Sequence, residues 1–369
     1  MTNILFLNLG GTSTKIAIFE DTKRIEETNI HHPREVLQDY PTALGQIGYR
    51  KQVVLSWLSE RGLSIDDFDC FALRGCSLDY ATKGGTYHIN DVAIQESKQK
   101  IAAIPNFYHG TQIVNLLAVE LDDNRGLPIY LTDPPNVNEL IPEAKIAGHP
   151  TFERIPIIHV LNAKTVGRKL MADLGKSYET SRLVICHMGA GVSVSAHLNG
   201  RIIDGNNCIN GEGPMSPNRV GQLPLKQLIQ RCFHTNLTEE EILKLVRQEG
   251  GIKAHLGTSD MRKVEKLVEE GDEKATLILK AFVWQIAKEI GGYTACLDGE
   301  TDYIILTGGI AHSNMITKKI IEKIERFAPV LVFGGELESE GLALGALNAL
   351  LGKIDVIEYE NPDIEAVVS

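Results

Sequence analysis

The sequence predicts an α/β protein built from two related domains, and three observations carry that prediction. Short apolar runs of strand type alternate with longer stretches of helical period along the chain. A strand, glycine-rich turn, strand pattern at the amino terminus returns near the middle of the sequence. With 369 residues, the chain is long enough for two domains of ordinary size, each with its own core.

Taken in order, NILFLNL, TKIAIF and RIEETNI read as three short strands joined by tight turns. A helix is expected around Arg50–Arg61 and a strand at FDCFALR. Helices follow near Asp91–Ala103 and Gln112–Leu121, then a strand at LPIYLTD. The segment 156–169 turns helical towards its end. RLVICHMGAGVSVSAHLNGRII then repeats the amino-terminal pattern, and YIILT gives a strand before a helix that starts near Asn314. Laid without gaps at an offset of 179 residues, Gly10 falls on Gly189, Asn8 on His187 and Ala17 on Ala196. In both copies an apolar strand delivers one polar side chain to a glycine turn, and a second strand returns with hydroxyls. Two unrelated glycine hairpins would be the chance alternative.

Composition removes several classes of function. The net charge is −11 and no Lys/Arg run forms a stripe, which argues against a nucleic-acid partner. Cys70, Cys76, Cys186, Cys208, Cys232 and Cys296 lie in mostly apolar segments without a CxxC pair, as reduced core thiols would. The amino terminus lacks a basic leader, Asn8 breaks its apolar stretch, and no apolar run reaches spanning length. A soluble cytoplasmic protein is expected, with no membrane partner.

The turn in LNLGGTSTK has the makings of a phosphate site. Gly10 and Gly11 allow backbone amides to approach a ligand, and Thr12, Ser13 and Thr14 add hydroxyls. GxxxxGK[ST] is not met, and a plain β-hairpin is the alternative. The second hairpin, HMGAGVSVSAHLNG, has the form H-x-G-x-G-x-S-V-x-A-x-x-x-G and resembles the second signature of the acetate and butyrate kinase family. The first is similar to that family's N-x-G-S-[ST]-[ST]-x-K: Asn8, Gly10, Thr12, Ser13 and Lys15 match, and Gly11 stands where the family has serine. TDPPNVNEL, AGHPTFER, NGEGPMSPNRVGQLP, GGIKAHLGTSD and LTGGIAHS resemble the butyrate kinase branch more than acetate kinases.

This resemblance implies a duplicated actin-like, sugar-kinase-like (ribonuclease H-like) fold with the active site in an interdomain cleft. The first domain would span 1–160, completed by a C-terminal helix at 338–369, and the second 161–337. Such a kinase moves the γ-phosphoryl of ATP, with Mg2+, onto a short-chain carboxylate by direct in-line transfer. The acyl phosphate formed can phosphorylate ADP in reverse. The resemblance also implies a homo-oligomer.

Residue by residue, the resemblance makes Arg74 and Arg219 the clamps on carboxylate and phosphoryl oxygens, although either alone reads as a surface arginine. It makes His187 a donor to the migrating group, against a plain core histidine. His109 would be the substrate-side histidine, with Gln112 replacing an expected asparagine. Asp133, otherwise a turn-initiating Asp-Pro, becomes the candidate magnesium ligand. Asn8, Gly10, Thr12, Ser13, Lys15, Gly189 and Gly191 fall on the two phosphate turns. Gly257, Asp260, Gly308, Gly309 and Ile310 fall on the nucleotide side, while His312 stands where acetate kinases carry a glutamate. His149 and His159 lie in matching segments without an assigned role. Two alternatives stay open: a sugar kinase of the same fold, and a non-catalytic nucleotide-binding paralogue.

Overall fold

Alternating apolar residues and two short turns fold the amino terminus into an antiparallel meander of β1 (Asn3–Leu9), β2 (Ser13–Glu20) and β3 (Lys23–His31). The computed structural model describes residues 1–40, 42–75, 78–103, 111 and 113–364. After α1 (Arg34–Gln38) and α2 (Gln46–Ser59), β4 (Cys70–Arg74) pairs parallel with β1. Then come β5 (Thr86–His88), α3 (Asp91–Ala103), α4 (Val114–Asp122) and β6 (Ile129–Thr132). The second part holds α5 (Pro142–Lys145), α6 (Val160–Asp173), and the meander β7 (Arg182–Met188), β8 (Val192–Leu198) and β9 (Arg201–Gly205). It continues through α7 (Leu225–His234), α8 (Glu239–Arg247), α9 (Gly251–Leu256), α10 (Met261–Glu269) and α11 (Glu273–Ala295). Strand β10 (Tyr303–Gly308), helix α12 (Asn314–Ile324) and strand β11 (Val330–Gly334) close it, before α13 (Glu338–Leu350) and β12 (Ile357–Glu358).

The strands form two sheets, ordered β12-β5-β6-β4-β1-β2-β3 and β11-β10-β7-β8-β9. Each contains an antiparallel meander with a parallel strand beside its first member, β4 next to β1 and β10 next to β7. The 179-residue repeat is thus a structural one, since β2 begins at Ser13 and β8 at Val192. In the first sheet α4, backed by α2, packs on one face of β1 and β4, and α13 packs on these strands too. Around the second, Val184, Cys186, Val194, Phe282, Ile286, Leu306 and Ile320 belong to one buried cluster joining the sheet to α11 and α12.

The chain divides into two compact units, one of Met1–Val137 with the stretch from Leu337 onward, the other of Asn138–Glu336. The first boundary falls before position 160 because the intervening residues run along β9. Ile141 N donates to Ile203 O at 3.1 Å, Glu139 accepts from Ile202 N, and Arg154 binds Asp204 at 3.0 Å. A buried Lys164–Glu139 pair at 2.7 Å ties the same segment to α6. Among the described residues no helix is long and apolar enough to cross a membrane. Cys70, Cys186 and Cys208 are buried, but Cys232 and Cys296 are exposed, contrary to their expected place in the core. Cys232 sits on α7, which buries none of its residues.

Two interior histidines tie stability to pH. His197 lies fully buried between Tyr178 Oη at 2.7 Å and Ser195 Oγ at 2.8 Å, and burial holds it well below the ordinary 6.5, with Lys164 adding to the effect. His32 sits between Thr14 Oγ1 and Tyr49 Oη; burial, then the Arg50 charge, lower it to about 4. Both are neutral when folded, so below about pH 6.5 the unfolded chain takes up protons that the folded chain refuses. Stability is full above that pH and is expected to fall by about 1.4 kcal/mol per pH unit for each histidine, down to about pH 4 for His32. Urea melts between pH 7.5 and 5 check this, and a flat profile would contradict it.

Candidate active site

In the first unit, β1 ends at Leu9 and the chain turns through residues 10–12, closed by a 2.9 Å bond from Gly10 N to Ser13 O. Asn8 is the register partner of Lys15 on β2 and of Arg74 on β4, so these three side chains leave the sheet on one face. On the other face Arg50, fully buried on α2, donates to the carbonyl oxygens of Gly10, Gly11 and Ser13 at 3.0, 3.0 and 2.8 Å, and to Thr14 Oγ1. The turn's carbonyls are drawn inward. Among the described residues, the amides of Gly11 and Thr12 donate to no protein group, which is how a backbone anion site is exposed. Burial lowers Arg50 to about 10, leaving it charged at neutral pH.

Sequence reasoning missed Arg50. The signal was there: Arg50, Val54, Trp57 and Leu58 form the buried stripe of α2, and an arginine on such a stripe needs acceptors.

Arg74 ends β4, and its guanidinium grips Glu338 in the first turn of α13 at two points, 2.7 and 3.0 Å. Its fork therefore already holds a carboxylate in the geometry suited to one. Lys15 pairs with Glu27 on β3 at 3.3 Å. Asp133 follows β6 with a left-handed backbone, φ 47°, unusual for a residue with a side chain. It is buried, and its Oδ1 accepts from Gly85 N at 3.0 Å. His109 and Gln112 lie outside the described residues.

The second unit gathers more of the expected residues. His187, near the end of β7, meets Asn162 Nδ2 at 2.9 Å through Nδ1 and lies 3.5 Å from Glu336 Oε1 through Nε2. Its ring stacks on His159, centroids 3.8 Å apart, and His159 Nδ1 is 2.9 Å from Ser193 Oγ. Across the β7–β8 turn, Gly189 N donates to Gly191 O. Arg219 lies so close to this turn that a Cβ on Gly191 would come within 2.1 Å of its Nη1 and 3.0 Å of its Cζ, with His159 Cε1 at 3.4 Å. The loop carrying Arg219 is clipped to the turn by Ser216, whose hydroxyl donates to Ala190 O and accepts from Arg219 N. Arg219 Nη1 donates to Cys208 O at 3.1 Å, while the buried Nε has no acceptor among the described residues. His159, unassigned from the sequence, thus joins His187, Gly189, Gly191 and Arg219.

Of the residues expected on the nucleotide side, Gly308 has φ +89° and no room for a side chain, since a Cβ would lie 2.5 Å from Met188 O. This brings the end of β10 against that of β7. Gly309 opens a short 3-10 turn to His312, whose ring lies over Gly334 and Gly335, and Ile310 is buried in the core. Gly257 is the left-handed cap ending α9, and Asp260 caps α10 and pairs with Arg262, so both hold local structural roles.

Among the described residues, no group of three or more His, Cys, Asp or Glu is placed to hold a metal. Asp133 offers one buried carboxylate, which fits magnesium carried mainly by phosphate oxygens and water and does not fit an all-protein cage.

Two α/β units, each built on a glycine-turn meander with a parallel strand at its side, define a two-domain protein of the actin-like fold. Residues 158–339 match the family model described as the Acetokinase family. Solved structures agree on the fold. An acetate kinase from Porphyromonas gingivalis superposes with a TM-score of 0.76 at 18% identity, over 95% of this chain and 100% of that one. A propionate kinase from Francisella tularensis subsp. tularensis SCHU S4 gives 0.75 at 17% identity, over 94% and 99%. A ROK family protein from Streptococcus pneumoniae TIGR4, in complex with sucrose, gives 0.51 at 15% identity, over 96% and 100%.

Proposed function

We propose that the protein is an ATP-dependent kinase of short-chain carboxylates, with butyrate or a branched relative as the acceptor. The observation that carries this reading is the buried Nε of Arg219, without an acceptor among the described residues, beside the His159–His187 stack at a glycine turn. A desolvated guanidinium donor without an acceptor is costly unless an anion completes it. The preference for butyrate rests on TDPP, AGHP and GEGP in the sequence.

The chemistry asks for such groups. A carboxylate acceptor is already an anion, so no base has to remove a proton, and the barrier is charge repulsion between the reactants. Arg74, whose fork holds the Glu338 carboxylate at two points, would exchange it for that of the acid. Arg219, His187 and His159 donate to oxygens of the migrating phosphoryl group, and the turn amides at Gly11 and Thr12 hold phosphate. Gly308 and Gly309 let the backbone approach the nucleotide. Magnesium, when bound, neutralises phosphate charge, and Asp133 would hold it.

Incubation with ATP, magnesium and a panel of acids, with hydroxylamine trapping of acyl phosphate, tests the proposal. Butyrate or isobutyrate is expected to outpace acetate. A preference for acetate would refute the choice of acceptor, and absence of product with every acid would favour the non-catalytic nucleotide-binding alternative.

The same assay addresses the metal. Asp133→Asn is expected to raise the magnesium requirement or depress turnover strongly, and His312→Gln to leave the magnesium dependence nearly unchanged, because imidazole is a poor ligand for a hard cation. The opposite pattern would move the metal to the His312 side.

A further inference from the structure

We infer that Asn162 and Thr307 fix the tautomer of His187, placing its proton on Nε2, and that Asn162 is a positioning residue for that ring. Gly335, Thr307, Asn162 and His187 form a chain of hydrogen bonds with one fixed end. Gly335 O is an acceptor only, and Thr307 Oγ1 lies 3.1 Å from it. Thr307 has a single hydroxyl hydrogen, which that carbonyl takes, so its lone pair faces Asn162 at 3.3 Å. Asn162 must present its NH2 group there, and the same nitrogen lies 2.9 Å from His187 Nδ1. Nδ1 therefore accepts, and the neutral ring carries its hydrogen on Nε2.

The reverse orientation of the amide is disfavoured at the same place. It would draw the threonine hydrogen to Asn162 and leave Thr307 Oγ1 and Gly335 O 3.1 Å apart with nothing between them. The elements hold the relay rigid: Thr307 and His187 are register partners on β10 and β7, and Asn162 is fully buried on α6. A second observation agrees at the other side of the ring. Nε2 faces the Glu336 carboxylate at 3.5 Å, an acceptor that a lone pair at Nε2 would repel.

The consequence deepens the proposed function and, in this part only, rests on it. A neutral His187 offers Nε2–H to a phosphoryl oxygen without first gaining a proton, whereas the other tautomer would meet that oxygen lone pair to lone pair. Gly189 keeps this edge open, since a Cβ there would approach Nε2 to 3.1 Å.

Nitrogen-15 spectra of the intact chain with labelled histidine, with the His187 signals identified by their loss in His187→Gln, provide the test. A pyridine-type shift at Nδ1 and a pyrrole-type shift at Nε2 are expected, and the reverse assignment or an average of the two overturns the inference. Asn162→Asp puts an acceptor against Nδ1; the hydrogen is expected to move to Nδ1 and kcat to fall about 10²-fold, with KM for the acid little changed. An Asp variant that keeps the original spectrum and kcat removes the positioning role. Should Asn162→Asp fail to fold, the wild-type spectrum and that of Thr307→Val, where the amide is free to turn, decide the matter. If the wild-type chain makes no acyl phosphate, the proposed function fails while the spectra still settle the tautomer.

Discussion

Arg219→Ala is expected to slow acyl phosphate formation by about 10²–10³-fold, equivalent to about 3–4 kcal/mol of transition-state stabilisation. The size follows from the place of one donor: the half-buried guanidinium is packed against the Gly191 turn, and its buried Nε is committed to no protein acceptor among the described residues. Charge concentrating on phosphoryl oxygens would meet a donor already in place. ATP binding should change far less, so kcat carries the loss. Arg219→Lys is expected to recover little, because an ammonium cannot reproduce the planar fork. Steady-state rates at saturating acid check this, and near wild-type turnover in a folded Arg219→Ala protein would return the residue to an ordinary loop position.

Arg50→Ala should have the largest effect on stability, about 3–5 kcal/mol. It removes a fully buried side chain and takes a donor from the carbonyls of Gly10, Gly11 and Ser13, of which Ser13 O keeps the Gly10 N–H. Arg50→Lys keeps a charge but loses the fork that reaches several acceptors at once, and should fall between the two. Denaturant unfolding followed by the fluorescence of Trp57 reports this unit, because Trp57 is buried on the same helix as Arg50. Nucleotide affinity should drop in parallel as the turn relaxes. A loss under 1 kcal/mol would mean that the turn holds its shape unaided.

Local features of the site were legible because the chemistry is written in consecutive residues. Asn8 and His187 each precede a glycine turn, and the offset that aligns them also aligns the start of β2 with that of β8. Hidden features were those in which distant residues meet. Arg50 reaches a turn some forty positions earlier in the chain. His159 stacks on His187 from the start of a helix. Arg74 meets its carboxylate partner from the opposite end of the sequence.

By itself the sequence determined the alternation of strands and helices, the duplicated glycine hairpins and the residue types that suit an anionic reaction, because period and turn chemistry act over a few neighbours. Only the tertiary structure decided which side chains share a space: Glu338 in the fork of Arg74, Arg50 beneath the first turn, and Arg219 with two histidines against the second. Those pairings depend on helices crossing sheets, and no local pattern encodes the distance at which two faces close.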